Sequence, residues 1–390
     1  MREATAMRME ADVPLGAFLS GGTDSSLVTA MMQAQSARPV RSFSIGFDNA
    51  RHDESAHAAR VAAHLGTDHT ELYVTPQQAM AVIPRLATMY DEPFADSSQI
   101  PTFLVSQLAR QHVTVSLSGD AGDELFSGYK RYDIATRMWG KIEHIPMPLR
   151  RAAARSIRSL TPDTWTTLTR WLPSEHFKHR FGDKLHKGAR ALLNKTIDEL
   201  YIDLVSHWTD PTSVVIGGHE PPTLLTGSRP DLTGLDPVER MMALDLMTYL
   251  PDDILTKVDR ASMAVSLESR VPMLDHRVVE FAWRLPQSLK QRDGVGKWVL
   301  RQVLYRHVPQ ALIDRPKMGF GVPIDVWLRG PLRDWAETLL DESRLRREGF
   351  FHPGPIRQLW AEHLSGSRNW AYHLWDVLMF QAWLDAQLDA

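Results

Sequence analysis

Several groups of side chains in this sequence have the types and spacing to do chemistry. The first is Ser20-Gly21-Gly22-Thr23-Asp24-Ser25-Ser26. It follows a short apolar run, Gly16 to Leu19, and an apolar helical rhythm at Leu27, Val28, Ala30 and Met31 picks up directly afterwards. A strand that passes through a glycine turn into a helix N-terminus gathers backbone N–H groups around one point. With the helix dipole behind it, such a nest binds a phosphate. The hydroxyls of Ser20, Ser25 and Ser26 add donors, and Asp24 offers a hard oxygen ligand for Mg²⁺. A Gly-Gly turn with a Ser/Asp helix cap is common by itself. The strand-turn-helix setting is what points to phosphate, and the missing Lys after the glycines rules out the Walker type.

Four further stations follow. Ile45-Gly46-Phe47-Asp48 ends a second strand, where a glycine would let a flat ligand lie against the backbone. Ser116 to Tyr129, SLSGDAGDELFSGY, takes a strand through Ser118-Gly119 into a helix opening with Asp120, Asp123 and Glu124. Acidic residues stabilise helix N-termini in general. Three carboxylates beside a phosphate loop still repel unless a cation or a proton lies between them. Mg²⁺ on pyrophosphate oxygens would resolve that repulsion, with Asp24 and Asp123 as its ligands. Asp120 is then free to act as a base or to position an attacking amine. Leu250 to Asp275 carries Lys257, Asp259, Arg260, Glu268 and Arg270 over an apolar helical rhythm and reads as an amphipathic helix with paired surface charges. Glu124, Lys257, Asp259, Arg260 and Arg270 are its candidates, with the preceding station, for binding an acceptor or phosphate. Arg315 to Ile324, RPKMGFGVPI, holds Lys317 in a glycine-flanked loop, where a fixed cation could neutralise charge growing on a pentacovalent phosphorus.

The elements that must position these stations alternate from Val13 to about Gly128. Strands are expected at 41–47, 70–74 and 113–117, and helices at 54–65, 76–90 and 101–111. Strands spaced by helices mean βαβ units and a parallel sheet covered on both faces, with ligands beyond the carboxyl ends of the strands. From Tyr129 helical periodicity dominates and strand candidates vanish, with a long loop at 217–237 rich in Gly, Pro, Ser and Thr. The expected organisation is therefore an α/β core over 1–128 and a mainly helical region over 129–390 that completes the site. Tryptophans 139, 165, 171, 208 and 283 read as packing between helices.

The 390 residues suffice for two domains with good cores, and 43% hydrophobic with 23% charged is ordinary for a globular protein. A formal net charge of −3 gives no reason to expect nucleic acid as a partner. No apolar run approaches the ~18–20 residues of a membrane span, and no apolar signal region opens the sequence, so a cytoplasmic location is expected. The sixteen His show no metal-ligand spacing. There is no Cys, which fits a reducing compartment and removes any thiol nucleophile.

The serine-glycine loop resembles the PP-loop of the N-type ATP pyrophosphatases, a Rossmann-like superfamily that grips pyrophosphate while the α-phosphorus is attacked. All five stations together resemble the synthetase domain of glutamine-dependent asparagine synthetases: DVPLGAFLSGGTDSS, FSIGF, SLSGDAGDELFSGY, LTKVDRASMAVSLESRVPMLD and RPKMGFGVPIDVWL. GMP and NAD synthetases lack the last two blocks. The resemblance implies ATP and Mg²⁺ as cofactors, a β-aspartyl-AMP intermediate, and aspartate and ammonia as substrates. It puts the adenylate pocket at Leu19, Ile45, Ser118 and Gly119, the pyrophosphate loop at Ser20 to Ser26, and the metal-associated carboxylates at Asp24 and Asp123. It ties formation of the intermediate to Asp120 and stabilisation of the adenylation transition state to Lys317.

Two departures stand out. Thr23 replaces the family's usual aliphatic residue, a small change in packing. The family's N-terminal glutaminase domain, with its nucleophilic first Cys, is not in this sequence, so a glutaminase domain or subunit is the expected partner and free ammonia the expected nitrogen source. Competing readings keep the mechanism with another carboxylate, such as a cell-wall or surface-polysaccharide precursor, or close a ring as β-lactam synthetases and lasso-peptide cyclases do. The acidic Asp120 favours the asparagine-forming enzymes, since the β-lactam enzymes resemble this block with a tyrosine there. A non-catalytic scaffold keeping the fold is the reading from another class, and intact Asp24, Asp123 and Lys317 argue against it.

Overall fold

Four short strands assemble the core of the molecule: Leu15–Phe18 (β1), Arg41–Phe47 (β2), Asp68–Val74 (β3) and Val115–Leu117 (β4). A fifth, Glu268–Arg270 (β5), joins them in one sheet of order β3-β2-β1-β4-β5, with every neighbouring pair parallel. The computed structural model describes residues 1–47, 55–169, 181–314 and 321–388. Asp48, Trp171 and the 315–320 segment with Lys317, singled out from the sequence, lie outside them.

The helices up to the second acidic station are Arg2–Met9 (α1), Thr23–Gln33 (α2), Ser55–Leu65 (α3), Pro76–Met80 (α4), Ile83–Met89 (α5), Gln99–Arg110 (α6), Gly122–Leu125 (α7) and Lys130–Ile142 (α8). The single helix read over 76–90 is two, α4 and α5. Thr75 starts α4 with a reciprocal capping box, and Pro84, which has no N–H to donate, opens α5.

Side chains alternate across the sheet as a period of two requires. Ala17, Leu19, Val115 and Leu117 pack against Leu27, Val28 and Met31 of α2 and Ala58 and Val61 of α3. Phe43, Ile45 and Phe47 pack on the opposite face against Ile100, Phe103 and Leu104 of α6. Residues beyond 129 enter both cores. Leu374, Trp375 and Leu378 of the last helix, Ala371–Leu388, share the second cluster with Ile83 and Leu86 of α5. Leu250, Met273 and Leu300 share the first. A third core, centred on Tyr132, Tyr201, Met241 and Met242, joins α8 to the helices Ile197–Val205 and Pro237–Met247. No helix of the described residues is long and apolar enough to cross a membrane.

β5 corrects the expectation that strands end near Tyr129. The block 250–275 is not one helix. It is a π-helical turn (Leu250–Leu255), an α-helix (Thr256–Met263), β5 and a 3₁₀ turn (Pro272–Leu274). Three polar residues give no alternation to read, and the strand exists because β4 offers it an edge: Glu268 N–H donates to Thr114 O at 2.9 Å and Ser118 N–H to Arg270 O at 2.9 Å. A two-residue hairpin pair, Gln291–Arg292 (β6) and Val295–Gly296 (β7), turns through Asp293-Gly294 with both residues at positive φ.

Candidate active site

The strand order fixes where a ligand can sit. The chain runs outward from β1 to β2 and β3, then returns to place β4 on the other side of β1. At that switch point the loops after β1 and β4 part and leave a crevice beyond the strand ends. The crevice is a cleft of about 850 Å³ lined by both loops, by Ile45 on β2, and by Tyr249, Lys257, Gly296 and Lys297.

The first loop is braced from within. Ser20 N–H donates to Ser25 Oγ at 3.2 Å, the two hydroxyls meet at 3.0 Å, and Gly22 N–H donates to Ser20 Oγ at 3.3 Å. Gly21 has φ +73°, and a Cβ there would sit 2.9 Å from Ala58 N, so the turn needs glycine. Gly22 caps α2 with no side-chain hydrogen bond, and Gly22, Thr23, Asp24 and Ser25 line the cleft, so the start of the helix borders it. The second loop leans on this one: a Cβ on Gly119 would come within 2.6 Å of Ser25 N. Ala121, Ser127 and Lys297 hold left-handed backbone conformations, with φ of 70°, 55° and 57°, and all line the cleft. Non-glycine residues adopt that region at a cost of ~1–3 kcal/mol, which surrounding structure must offset, and such residues cluster at functional sites.

The charge pattern centres on Lys297. Its Nζ bonds Asp24 Oδ2 and lies 2.8 Å from Asp123 Oδ1. Burial opposes its charge, but Asp123 and Asp24 outweigh that and hold it protonated. This ammonium answers the repulsion among the carboxylates that the sequence raises. Lys297 follows β7, whose Gly296 abuts Ser127 O, and its own N–H donates to Phe126 O at 2.8 Å. The hairpin therefore docks on the acidic loop and delivers the cation to it.

Around this pair the acids are protonated more readily than usual. Burial pushes Asp120 up against a 2.8 Å bond from Ser118 Oγ and the nearby charge of Lys257. Burial, with Asp123's charge adding, pushes Glu124 up to about 7, although the Tyr129 hydroxyl donates to it at 2.6 Å. Tyr129 is fixed from behind. The Arg131 guanidinium lies 4.0 Å from its ring centre and 4.4 Å from that of Tyr249, and bonds buried Asp245 at 2.6 Å, as does Tyr132 OH. On the opposite wall Lys257 Nζ donates to Asp96 Oδ2 at 2.6 Å.

Leu19, Ser20, Gly21, Gly22, Asp24, Ser25, Ile45, Ser118, Gly119, Asp120, Asp123, Glu124 and Lys257 all line the cleft. Ser26 does not: it is buried beneath the loop. Asp259 and Arg260 are turned away, the latter pairing with Asp91 at 2.7 Å. Arg270 holds the N-terminal helix, donating to the carbonyls of Arg8 (3.0 Å) and Glu10 (2.7 Å), and pairs with Glu268. Lys297 escaped sequence reasoning, and its signal was the Asp293-Gly294 hairpin turn just ahead of an apolar helical run.

The donor set suits Mg²⁺. Asp24 and Asp123 converge from the first turns of α2 and α7, and Mg²⁺ takes one or two carboxylates together with substrate phosphate oxygens. No group of three or more His, Cys, Asp or Glu gathers among the described residues, so phosphate oxygens would have to complete the shell.

Residues 1–385 match the family model for asparagine synthase. The chain is 33% identical over 397 residues to a putative glutamine-hydrolyzing asparagine synthetase of Mycobacterium bovis, covering 98% of this chain and 56% of that protein. It is 30% identical over 390 residues to the glutamine-hydrolyzing asparagine synthetase 1 of Bacillus subtilis, covering 98% and 57%. It is 26% identical over 382 residues to the amidase chyE of Penicillium rubens, covering 89% and 55%. The chain spans a little over half the length of these relatives.

Proposed function

Given that this chain belongs to the asparagine synthase family, we propose that it is an ATP-dependent ligase that amidates aspartate through an acyl-adenylate. The observation that carries this reading is the Asp24–Lys297–Asp123 cluster at the mouth of a phosphate-ready loop. It joins an anion nest, a fixed cation and hard oxygen donors at one switch-point crevice.

In this reading the adenine lies toward Leu19 and Ile45, and the β- and γ-phosphates lie on the Ser20–Ser25 loop and the N-terminus of α2. A carboxylate oxygen of aspartate attacks the α-phosphorus, the bond to the β-phosphate oxygen breaks, and pyrophosphate leaves. Lys297 faces charge that grows on the phosphoryl oxygens, and Lys317 is the second candidate for that task. Mg²⁺ on Asp24 and Asp123 would neutralise pyrophosphate charge. Ammonia then attacks the acyl carbon, AMP leaves, and Asp120, whose raised proton affinity suits a base, takes the proton.

Incubation with ATP, MgCl₂, aspartate and ammonium is expected to give AMP, pyrophosphate and asparagine. ADP and phosphate as products would overturn the adenylate route. Amidation of another carboxylate is a second reading, since the likeness extends to a relative not named an asparagine synthetase. A panel of carboxylic acids scored by AMP release separates the two. Nitrogen comes as free ammonia or from a glutaminase partner, as the names of the relatives suggest.

A further inference from the structure

The chain carries a formal net charge of −3, but the charge is unevenly spread. Residues 130–158, which form α8 and the next helix, Met147–Arg158 (α9), hold eight Lys or Arg against two Asp or Glu. Arg131 and Arg150 are turned inward, onto Asp245 and the Asn194 carbonyl, and Lys130 lines the cleft. Asp133 is engaged by Gln291, and Glu143 pairs with His144 at 3.6 Å. That leaves Arg137, Lys141, Arg151, Arg155 and Arg158. All five are exposed, and none has an ion pair among the described residues.

Between these cations the chain turns from α8 into α9 through Ile145-Pro146-Met147-Pro148-Leu149, a run without a polar side chain. Leu149 is 61% exposed and Ile145 38%, and both prolines are exposed as well. Single apolar side chains on a surface are ordinary. A run of them at a turn, with unpaired cations on either side, is the pattern of a contact site. α9 continues it. Its period of 3.6 puts Arg151, Arg155 and Arg158 on one stripe and Leu149, Ala152 and Ala153 on the next, both outward, while Arg150 and Ala154 are buried.

We propose that this surface docks on an anionic lipid bilayer, with Ile145 to Leu149 entering the headgroup layer and the five cations meeting lipid phosphates. A bilayer offers both things the surface asks for, phosphates outside and hydrocarbon beneath them. A nucleic acid has the phosphates without the apolar layer, and it rewards stacking aromatic side chains where this surface shows Leu, Ile and Pro. The contact is peripheral and reversible, in a chain with no described helix long and apolar enough to span a membrane. It lies apart from the catalytic groups, so it stands or falls independently of the reaction proposed above.

The test is co-sedimentation of the whole chain with vesicles of phosphatidylcholine alone and of equal parts phosphatidylcholine and phosphatidylglycerol. Wild type should pellet with the anionic vesicles and stay in solution with the neutral ones. It should come off in about 1 M NaCl, where the screening length falls to about 3 Å. Each cation near such a surface strengthens binding about fivefold, so Arg151→Gln, Arg155→Gln and Arg158→Gln combined should weaken it about a hundredfold. Leu149→Ser should also weaken it, with the salt dependence kept, because it removes apolar area and no charge. These side chains make no ion pair, so both variants should melt like wild type and match its rate of ATP–pyrophosphate exchange with soluble substrates. A wild type that ignores anionic vesicles, or a triple variant that binds them as before, overturns the proposal. Leu149→Ser binding vesicles like wild type, or duplex DNA binding as tightly as the vesicles do, would make this a general polyanion surface and overturn the lipid assignment.

Discussion

Lys297 holds two carboxylates that come from the first turns of α2 and α7, far apart in sequence, and its removal should be felt twice. Without its ammonium, Asp24 and Asp123 face one another in a buried setting, so one of them must take a proton or the loops must part. Lys297→Gln is therefore expected to lower the melting temperature and to cut the rate of ATP–pyrophosphate exchange by ~10²–10³, the typical loss when one preorganised contact to developing charge is removed. The effect should fall on kcat more than on the KM for ATP, because the charge it meets grows only as attack proceeds. A raised KM with kcat intact would make it a ground-state contact. Lys317→Ala in parallel decides between the two lysines, since the one that meets the transition state shows the larger kcat loss. Asp24→Asn should abolish exchange while the protein still folds, as judged by a cooperative melt, because Lys297 keeps Asp123 as a partner. The sequence shows Asp24 and Asp123 plainly, each inside a compact motif. It cannot show Lys297 as their partner: 273 residues separate it from Asp24, and only the docking of the β6–β7 hairpin brings it there.

Among the elements, the two switch-point loops carry the site, and their contact is tight enough to test. The Gly119 Cα faces the start of α2 so closely that a Cβ would lie 2.6 Å from Ser25 N and 2.7 Å from the Asp24 carbonyl carbon. Both are backbone atoms and cannot swing aside. Gly119→Ala should cost ~1–3 kcal/mol of stability and displace the nest, with activity falling further than stability alone explains. An unshifted melt and normal exchange would mean that the loops part easily. This loop pair was legible in the sequence because strand, glycine turn and helix follow one another within a dozen residues, each with its own composition. β5 was not. Glu268-Ser269-Arg270 has no apolar alternation, and it becomes a strand only because β4 presents an unpaired edge beside it. The π-turn at 250–255 was equally hidden. Its composition, LPDDIL, suits an ordinary first helical turn.

At the scale of the whole molecule the open question is nitrogen, and the composition speaks to it directly. Releasing ammonia from glutamine in this family takes a thiolate attacking the amide carbonyl, and this chain of 390 residues has no Cys. The relatives whose names include glutamine hydrolysis are nearly twice as long as the part this chain matches. The chain by itself is therefore expected to make amide from ammonium salts and to ignore glutamine. In the proposed reaction ammonia, not ammonium, is the nucleophile, so kcat should climb as pH rises toward the ammonium pKa. At saturating aspartate the pH profile should rise monotonically through pH 8.5. The decisive assay gives the purified chain ATP and aspartate with either ammonium chloride or ammonia-free glutamine, and follows asparagine and glutamate. Asparagine with glutamate from glutamine alone would show an amide-cleaving centre in a chain without a thiol, and the assignment of nitrogen source would fall.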